Sequence, residues 1–547
     1  HDLGLLVRDY TPGGALPDVT AFDNSIIGNS RYAAWGDALV NAGGNWWGES
    51  DPSAVAAVIS GTVDYTPWLD VGDDTEPATP GFQGDFSTLW VDDDSPQVGT
   101  VGRIQEGVNL VSGDTLYAAA GTYVEQVEIT KTLTIIGAGM FSTTIQSPDL
   151  LPLKFTSTAD NHPIVYIHDT DSVTLRRLMV DGAGKGNANY RFVGIAFYNA
   201  DGATESVGVK GMHDTPLSDA EHGVGLYVYG DDDSPHTVLV RDGLFTDWQK
   251  SALAFRATDT TPLTVEVLGN TITGWGATTV IPQNGIEVWA AQGRATIANN
   301  TLTDIAYDNT SAPVKEVASS ILNYYTTITV TGNTIGSAQM GVYNYDGEGR
   351  IEGNDLTVEK VGVAAWGILA TDPPGVQPAP FDGESHPLRP DMGNAGPVTL
   401  TVEVLSNTVT FSGTDNAATY GIEADAGWGA DNLDFTANHN IVEGFEAGIE
   451  LYQCRLRCSS GLFTKLTARW NCFAGNTYGM RSNVSYLIAD GRENYWGDPS
   501  GPYHPTLRPS GQGDAVSDYV EFRPWTDSCG GRVAVFHLFL PIVTKGW

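Results

Sequence analysis

Two short patterns of apolar and polar positions alternate along most of the chain. The first is a glycine or small residue followed by alternating apolar positions, at Gly194-Ile195-Ala196-Phe197, Gly225-Leu226-Tyr227-Val228, Ala252-Leu253-Ala254-Phe255 and Gly285-Ile286-Glu287-Val288. It returns at Gly341-Val342-Tyr343, Gly367-Ile368-Leu369, Gly421-Ile422-Glu423 and Gly448-Ile449-Glu450-Leu451. The second is a β-branched run ending in Gly-Asn-Thr-Ile or a near variant, over residues 265–272, 295–302, 328–335, 350–356, 402–409 and 435–441. Period-two alternation in short β-branched runs punctuated by Gly and Asn predicts strands and excludes helical solenoids.

Copies of the first pattern begin about 21 to 35 residues apart, the period of a stacked repeat. The one longer gap, between Ile368 and Ile422, holds a Pro-rich insertion near residues 371–397, read as a loop projecting from one turn. A sandwich does not need the same Asn after every second strand. In a parallel coil that Asn recurs at one corner, where it satisfies the bend's backbone and ladders on its neighbour in the next turn. The expected fold is therefore all-β, a right-handed parallel β-helix of about a dozen turns over residues 99–527. Ile104, Val108 and Val111 at helical spacing predict a short N-terminal capping helix over the open end of the core.

After that helix come Ser112-Gly113-Asp114-Thr115-Leu116-Tyr117, Gly121-Thr122-Tyr123-Val124 and the run 133–139. At these residues the chain resembles the pectin-lyase-like superfamily of right-handed β-helices, in its broad repeat-protein branch, over about residues 98–525. The resemblance implies the fold. It implies no single activity, because that fold hosts lyases, hydrolases, adhesins and structural proteins.

Residues 1–70 hold an ending that precedes the beginning. Asn45-Trp46-Trp47-Gly48 followed by Asp64-Tyr65-Thr66-Pro67-Trp68 matches Asn494-Tyr495-Trp496-Gly497 followed by Glu521-Phe522-Arg523-Pro524-Trp525. The second copy closes the coil, so the first resembles a terminal β-helix turn placed ahead of it, joined by an acidic linker over residues 71–98. Such an end presents unpaired strand edges and apolar side chains. It can cap its own coil, or meet the complementary end of another copy in a heterologous contact that propagates as a filament. The tail, residues 528–547, alternates apolar residues like a strand in need of a partner. The leading expectation is head-to-tail self-association through Trp46, Trp47, Tyr65 and Trp68 with Val535, Phe536, Leu538, Phe539 and Leu540.

Composition narrows the setting. The 547 residues carry 66 acidic against 28 basic side chains, a net charge of −38, and 41% are hydrophobic. That apolar fraction supplies a core and excludes wholesale disorder. The charge repels phosphate backbones, so nucleic acid is excluded as a partner, and it suits an extracellular or cell-surface protein. No apolar run approaches the roughly 20 residues that cross a bilayer, so no transmembrane segment is expected. The chain begins at His1 without a leader, so in an exported protein the leader has been removed. Cys454, Cys458, Cys472 and Cys529 cluster near one end and read as two disulfides of an oxidising compartment. All three pairings stay open, a bridge between stacked neighbours among them.

Chemistry is faint by comparison. A glycosidase on this scaffold needs paired carboxylates on neighbouring turns, and a lyase needs an Arg or Lys base. Asp346 and Glu348 lie near one strand end, Glu423 and Asp425 alternate on one strand, and Glu287 and Glu450 occupy equivalent repeat positions. Their alternation with apolar residues reads as the solvated face of a strand. The hydrolase and lyase signatures of the superfamily are missing, so no catalytic residue is assigned. A secreted polysaccharide lyase or glycoside hydrolase is the alternative to a structural role, and a glycan-binding adhesin the third. No cofactor is assigned either. Calcium alone is left open by the runs Asp73-Asp74, Asp92-Asp93-Asp94 and Asp231-Asp232-Asp233, which lack calcium-loop spacing.

Overall fold

The computed structural model describes residues 1–8, 18–308, 316–365, 377–378, 399–426, 432–453 and 462–530. The chain forms two compact units, one running through Thr301 and the other from Leu302 onward. Each is built from stacked parallel strands, and the fold is a right-handed parallel β-helix, as its sequence pattern predicts.

In the first unit one face is the parallel ladder Thr88–Val91, Thr115–Ala118, Leu133–Gly137, Val173–Arg176, Gly202–Glu205, His236–Arg241, Leu263–Leu268 and Arg294–Ala298. A second is Asp160–His168, Phe192–Tyr198, Val224–Gly230, Ser251–Ala257 and Asn284–Trp289. The register of this face stacks Val165, Ile195, Leu226, Leu253 and Ile286 in one fully buried inward column. Period two is the cause: the glycine-led pattern sends every second side chain into the coil, and each rung repeats it.

The second unit repeats the scheme. Ser319–Tyr324, Thr334–Tyr345, Asp355–Ala365, Tyr420–Ala426, Ala447–Gln453 and Tyr478–Ser482 pair in parallel, with Ile321, Val342, Val363, Ile422, Ile449 and Met480 as the inward column. The recurring Asn residues stack at one corner. The backbone N–H and the Nδ2 of Asn333 both donate to Oδ1 of Asn354, at 2.9 Å each. Asn354, Asn407, Asn440, Asn471 and Asn494 continue the same arrangement. Each amide thereby closes a bend whose donors would otherwise be buried without partners.

The capping helix is Arg103–Leu110. Ile104 and Val108 are buried beneath it, and a side chain at Gly107 would collide with Leu116 and Val91, so the helix sits close on the first rungs. Its first free N–H groups are met by Glu125, which accepts from Ile104 and Gln105 at 2.9 Å each.

Residues 1–70 change role. Leu3–Val7, Val19–Thr20 and Ile59–Asp64 all pair in parallel with Tyr32–Asn41, and Trp68–Leu69 then turns back antiparallel onto Leu89–Trp90. Trp47, Tyr65 and Trp68 are buried, Trp46 is half-buried, and Trp68, Trp90 and Tyr117 stack in sequence. Asp64 reaches the capping helix in a buried ion pair with Arg103 at 2.7 Å. Of the side chains read as a docking face for a second copy, Trp47, Tyr65 and Trp68 belong to a hydrophobic cluster of the N-terminal segment against which Trp90 of the coil packs. Burying them locally needs no partner, and the antiparallel return brings that surface within reach. Thr88–Val91, inside the stretch read as linker, is already a rung in register with Thr115–Ala118. Val535, Phe536, Leu538, Phe539 and Leu540, Cys454 and Cys458, and all of the Pro-rich insertion except 377–378 lie outside the described residues. Cys472 is bonded to Cys529, 57 residues on.

Candidate functional site

One residue after each inward position a side chain points away from the coil, so outward positions also stack rung on rung, about 4.8 Å apart. In the first unit this offset aligns Glu128, Tyr166, Ala196, Tyr227, Ala254 and Glu287. Two residues further along, it aligns His168, Tyr198, Tyr229, Arg256 and Trp289.

The second line is the more open one. His168, Tyr198, Tyr229 and Trp289 are half-buried, whereas Tyr227 and Glu287 are closed off. Tyr198 and Tyr229 stack with centroids 6.2 Å apart, and His168 stacks on Tyr166 at 4.3 Å. Phe155, on the antiparallel return Phe155–Thr156, covers Tyr166 and Tyr198. Ion pairs sit at both ends. Glu128 is held by Lys154 at 2.5 Å and His168 at 2.9 Å. Desolvation pushes its carboxyl up, but its hydrogen bonds and charge interactions with Lys154 and His168 outweigh that and hold it below the usual range. At the other end Arg256 pairs with Glu287 at 2.6 Å and lies over the Trp289 ring at 4.9 Å.

In the second unit the outward lines gather carboxyl groups. Tyr343, Ala364, Glu423, Glu450 and Arg481 fall in one register line, and Asp425 pairs with Tyr452 in the next. Glu423, Asp425, Asp346, Glu287 and Glu450 are buried, at 1%, 0%, 2%, 0% and 5% exposure, and only Glu348 is solvated. This corrects the reading of these carboxylates as a solvated face. Alternation shows that a side chain points outward, but other parts of the chain decide whether that side is covered. Arg481 holds Glu450 and Glu446 at 2.6 Å each, and its guanidinium lies over Tyr420 and Tyr478. Burial pushes the Glu450 carboxyl up to about 7 even though Arg481 opposes the shift. Tyr343 is raised well above its ordinary value by burial, with Tyr324, Tyr345 and Glu423 adding to it.

The Glu450 carboxyl lies one rung from the buried Glu423 side chain. Sequence reasoning singled out Glu423 and Asp425 but missed Arg481, Glu446, His168, Arg256 and Trp289. Their signal is the same outward offset repeated rung by rung. Among the described residues, no three His, Cys, Asp or Glu side chains converge on a cation site. In the acidic runs Asp93 accepts from the Thr122 N–H of the next rung, and Asp232 accepts from the Ser234 N–H and pairs with His236.

No protein-family model and no curated protein sequence matches the chain. Solved structures similar to it include a mutant tailspike protein of E. coli bacteriophage HK620 in complex with pentasaccharide, at 12% identity and TM-score 0.42, over 83% of this chain and 84% of that one. An alginate lyase of the PL6 class in complex with trisaccharide is similar at 14% identity and TM-score 0.36, over 80% and 94%. The mannuronan C-5 epimerase A-module of Azotobacter vinelandii named AlgE4 is similar at 14% identity and TM-score 0.34, over 70% and 93%. Likenesses this distant add nothing to what the strand ladders establish, a right-handed parallel β-helix.

Proposed function

We propose that the protein is an extracellular glycan-binding β-helix that holds an extended polysaccharide along its outward strand face. One observation carries this reading: His168, Tyr198, Tyr229 and Trp289 share one line at rung spacing with the buried Arg256, in half-open positions where a purely structural strand needs only Thr or Val. Aromatic surface with a few fixed polar groups is the usual make-up of a ligand cleft. Sugars offer C–H faces to such rings and hydroxyls to the flanking charges. Affinity electrophoresis against a set of neutral and acidic polysaccharides tests the reading. Wild-type protein is retarded by at least one of them, and Tyr229→Ala with Trp289→Ala weakens that retardation at least tenfold. Retardation that the double variant leaves unchanged overturns it.

A hydrolytic function is the second reading, favoured by Glu450 poised near neutrality one rung from Glu423. It requires that the retained polysaccharide release new reducing ends and that Glu450→Gln stop the release while retardation persists.

A further inference from the structure

One cavity lies away from both outward lines above. It has a volume of about 720 Å³, in the range of small-molecule sites, and lies between the short helix Pro52–Ala57 and the ladder Thr88–Val91, Thr115–Ala118 and Leu133–Gly137. Trp90, Tyr117 and Ile136 form its apolar wall, Asp92 and Asp94 one rim, and Arg177 the other. The floor is made of Ala118-Ala119-Ala120 and Gly137-Ala138, of which Ala120 and Ala138 are exposed.

The walls are fixed before any ligand arrives. Trp90 donates its indole N–H to Asp70 at 2.6 Å and stacks on Tyr117 at 4.5 Å. Arg177 donates to the Ala138 carbonyl at 2.7 Å, which engages one arm of the guanidinium. The buried Thr143 hydroxyl bonds the Ala119 carbonyl and takes the Ala138 N–H, tying the floor of one rung to the next. Asp92 is anchored by Thr66 at 3.1 Å, so Asp94 is the rim carboxylate open to solvent. Pre-organisation of this kind lowers the cost of binding.

We propose that this cavity is a second binding site, taking a neutral sugar unit. The charge arrangement selects the class. An anion would meet Asp94, and a cation would meet Arg177. A neutral hydroxyl array can donate to the carboxylate and accept from the guanidinium at once, while its C–H groups lie on the Trp90–Tyr117–Ile136 wall. The site stands whether or not the outward strand face binds glycan.

Isothermal titration calorimetry of the full chain tests it, with glucose, galactose, mannose, N-acetylglucosamine and cellobiose as probes and glucuronate and glucosamine as charged counterparts. At least one neutral sugar binds saturably, and its charged counterpart binds at least tenfold more weakly. Ala138→Trp, at an exposed position on the cavity floor, removes the binding, and Asp94→Asn weakens it several-fold with an unchanged melting temperature. Trp289→Ala leaves it intact, which separates this cavity from the strand-face site. Three results each overturn the proposal: no saturable binding by any neutral sugar, tighter binding of a charged counterpart, or binding that both Ala138→Trp and Asp94→Asn leave unchanged.

Discussion

The two Asn-aromatic-Trp-Gly turns share a local design and have opposite surroundings. In the first, Asn45 donates Nδ2 to the Ala42 and Ala21 carbonyls, Gly48 sits at φ 92°, and the Trp68 indole donates to the Ser50 carbonyl. In the second, Asn494 donates to Gly491 and Ala468, Gly497 sits at φ 85°, and Trp525 donates to Pro499. Both glycines occupy the left-handed region, where a Cβ is disfavoured, so the turn demands them. The surroundings then diverge. Asp64 is buried against Arg103, whereas Glu521, its counterpart in the motif, is exposed. Trp68 is covered by Trp90 of the following rung, while the second copy is tied by the Cys472–Cys529 bond. A terminal turn is thus a local module, and what it meets next decides whether it works as a joint or as an end.

Four experiments press on that contrast. The largest effect is expected from Trp68→Ala, which removes a fully buried indole together with its stack on Trp90 and should cost about 5 kcal/mol. Trp525→Ala removes an indole that lies beneath the Arg508 guanidinium and should cost less. Denaturant midpoints compare the two, and equal costs would dissolve the distinction. Replacing Cys472 and Cys529 by Ser comes next. Freeing a loop of 57 residues should lower stability by about 4 kcal/mol on the chain-entropy account. Hydrogen exchange should show the loss in the second copy and not the first.

Asp64→Asn breaks a buried ion pair and should cost about 3 kcal/mol, against no more than about 0.5 kcal/mol for Glu521→Gln at the matching exposed position. Similar values for the two would mean that burial does not separate them. The smallest effect is in pH. Burial raises Glu106 and Glu125, at the first joint, to about 7 and Asp514, at the second turn, to about 6. In each case the folded carboxyl holds its proton where the unfolded one has released it, so stability falls as pH rises. The stabilisation is complete below the unfolded values near 4 to 4.5. It is lost by about pH 6 around Asp514 and continues to fall until about pH 7 around Glu106 and Glu125. Amide exchange at Ile104 and Gln105, followed from pH 4.5 to 7.5 and corrected for intrinsic rates, should show protection declining. Protection that rises with pH would reverse the sign.

Much of the coil was legible because its rules are local. The alternation in Gly194-Ile195-Ala196-Phe197 and its copies places Ile195, Leu226, Leu253 and Ile286 in one column, since each rung repeats the same choice of face. The Gly-Asn-Thr-Ile copies mark the ladder even where Asn354 and Asn407 are 53 residues apart in sequence. The candidate site was legible only in part. Glu423 and Asp425 could be seen to share an outward face, but not that the face is closed, and Arg481 stood unmarked until register set it beside Glu450.

By itself, then, the sequence determined the parallel coil, its corner ladder and its capping helix, because strand period, turn chemistry and helix spacing act over a few residues. Only the tertiary structure decided that Trp68 covers Trp90, that Asp64 meets Arg103 and that Cys472 pairs with Cys529. These contacts join positions tens of residues apart. Their outcome depends on which surfaces the stacked rungs bring together, and no local preference encodes that.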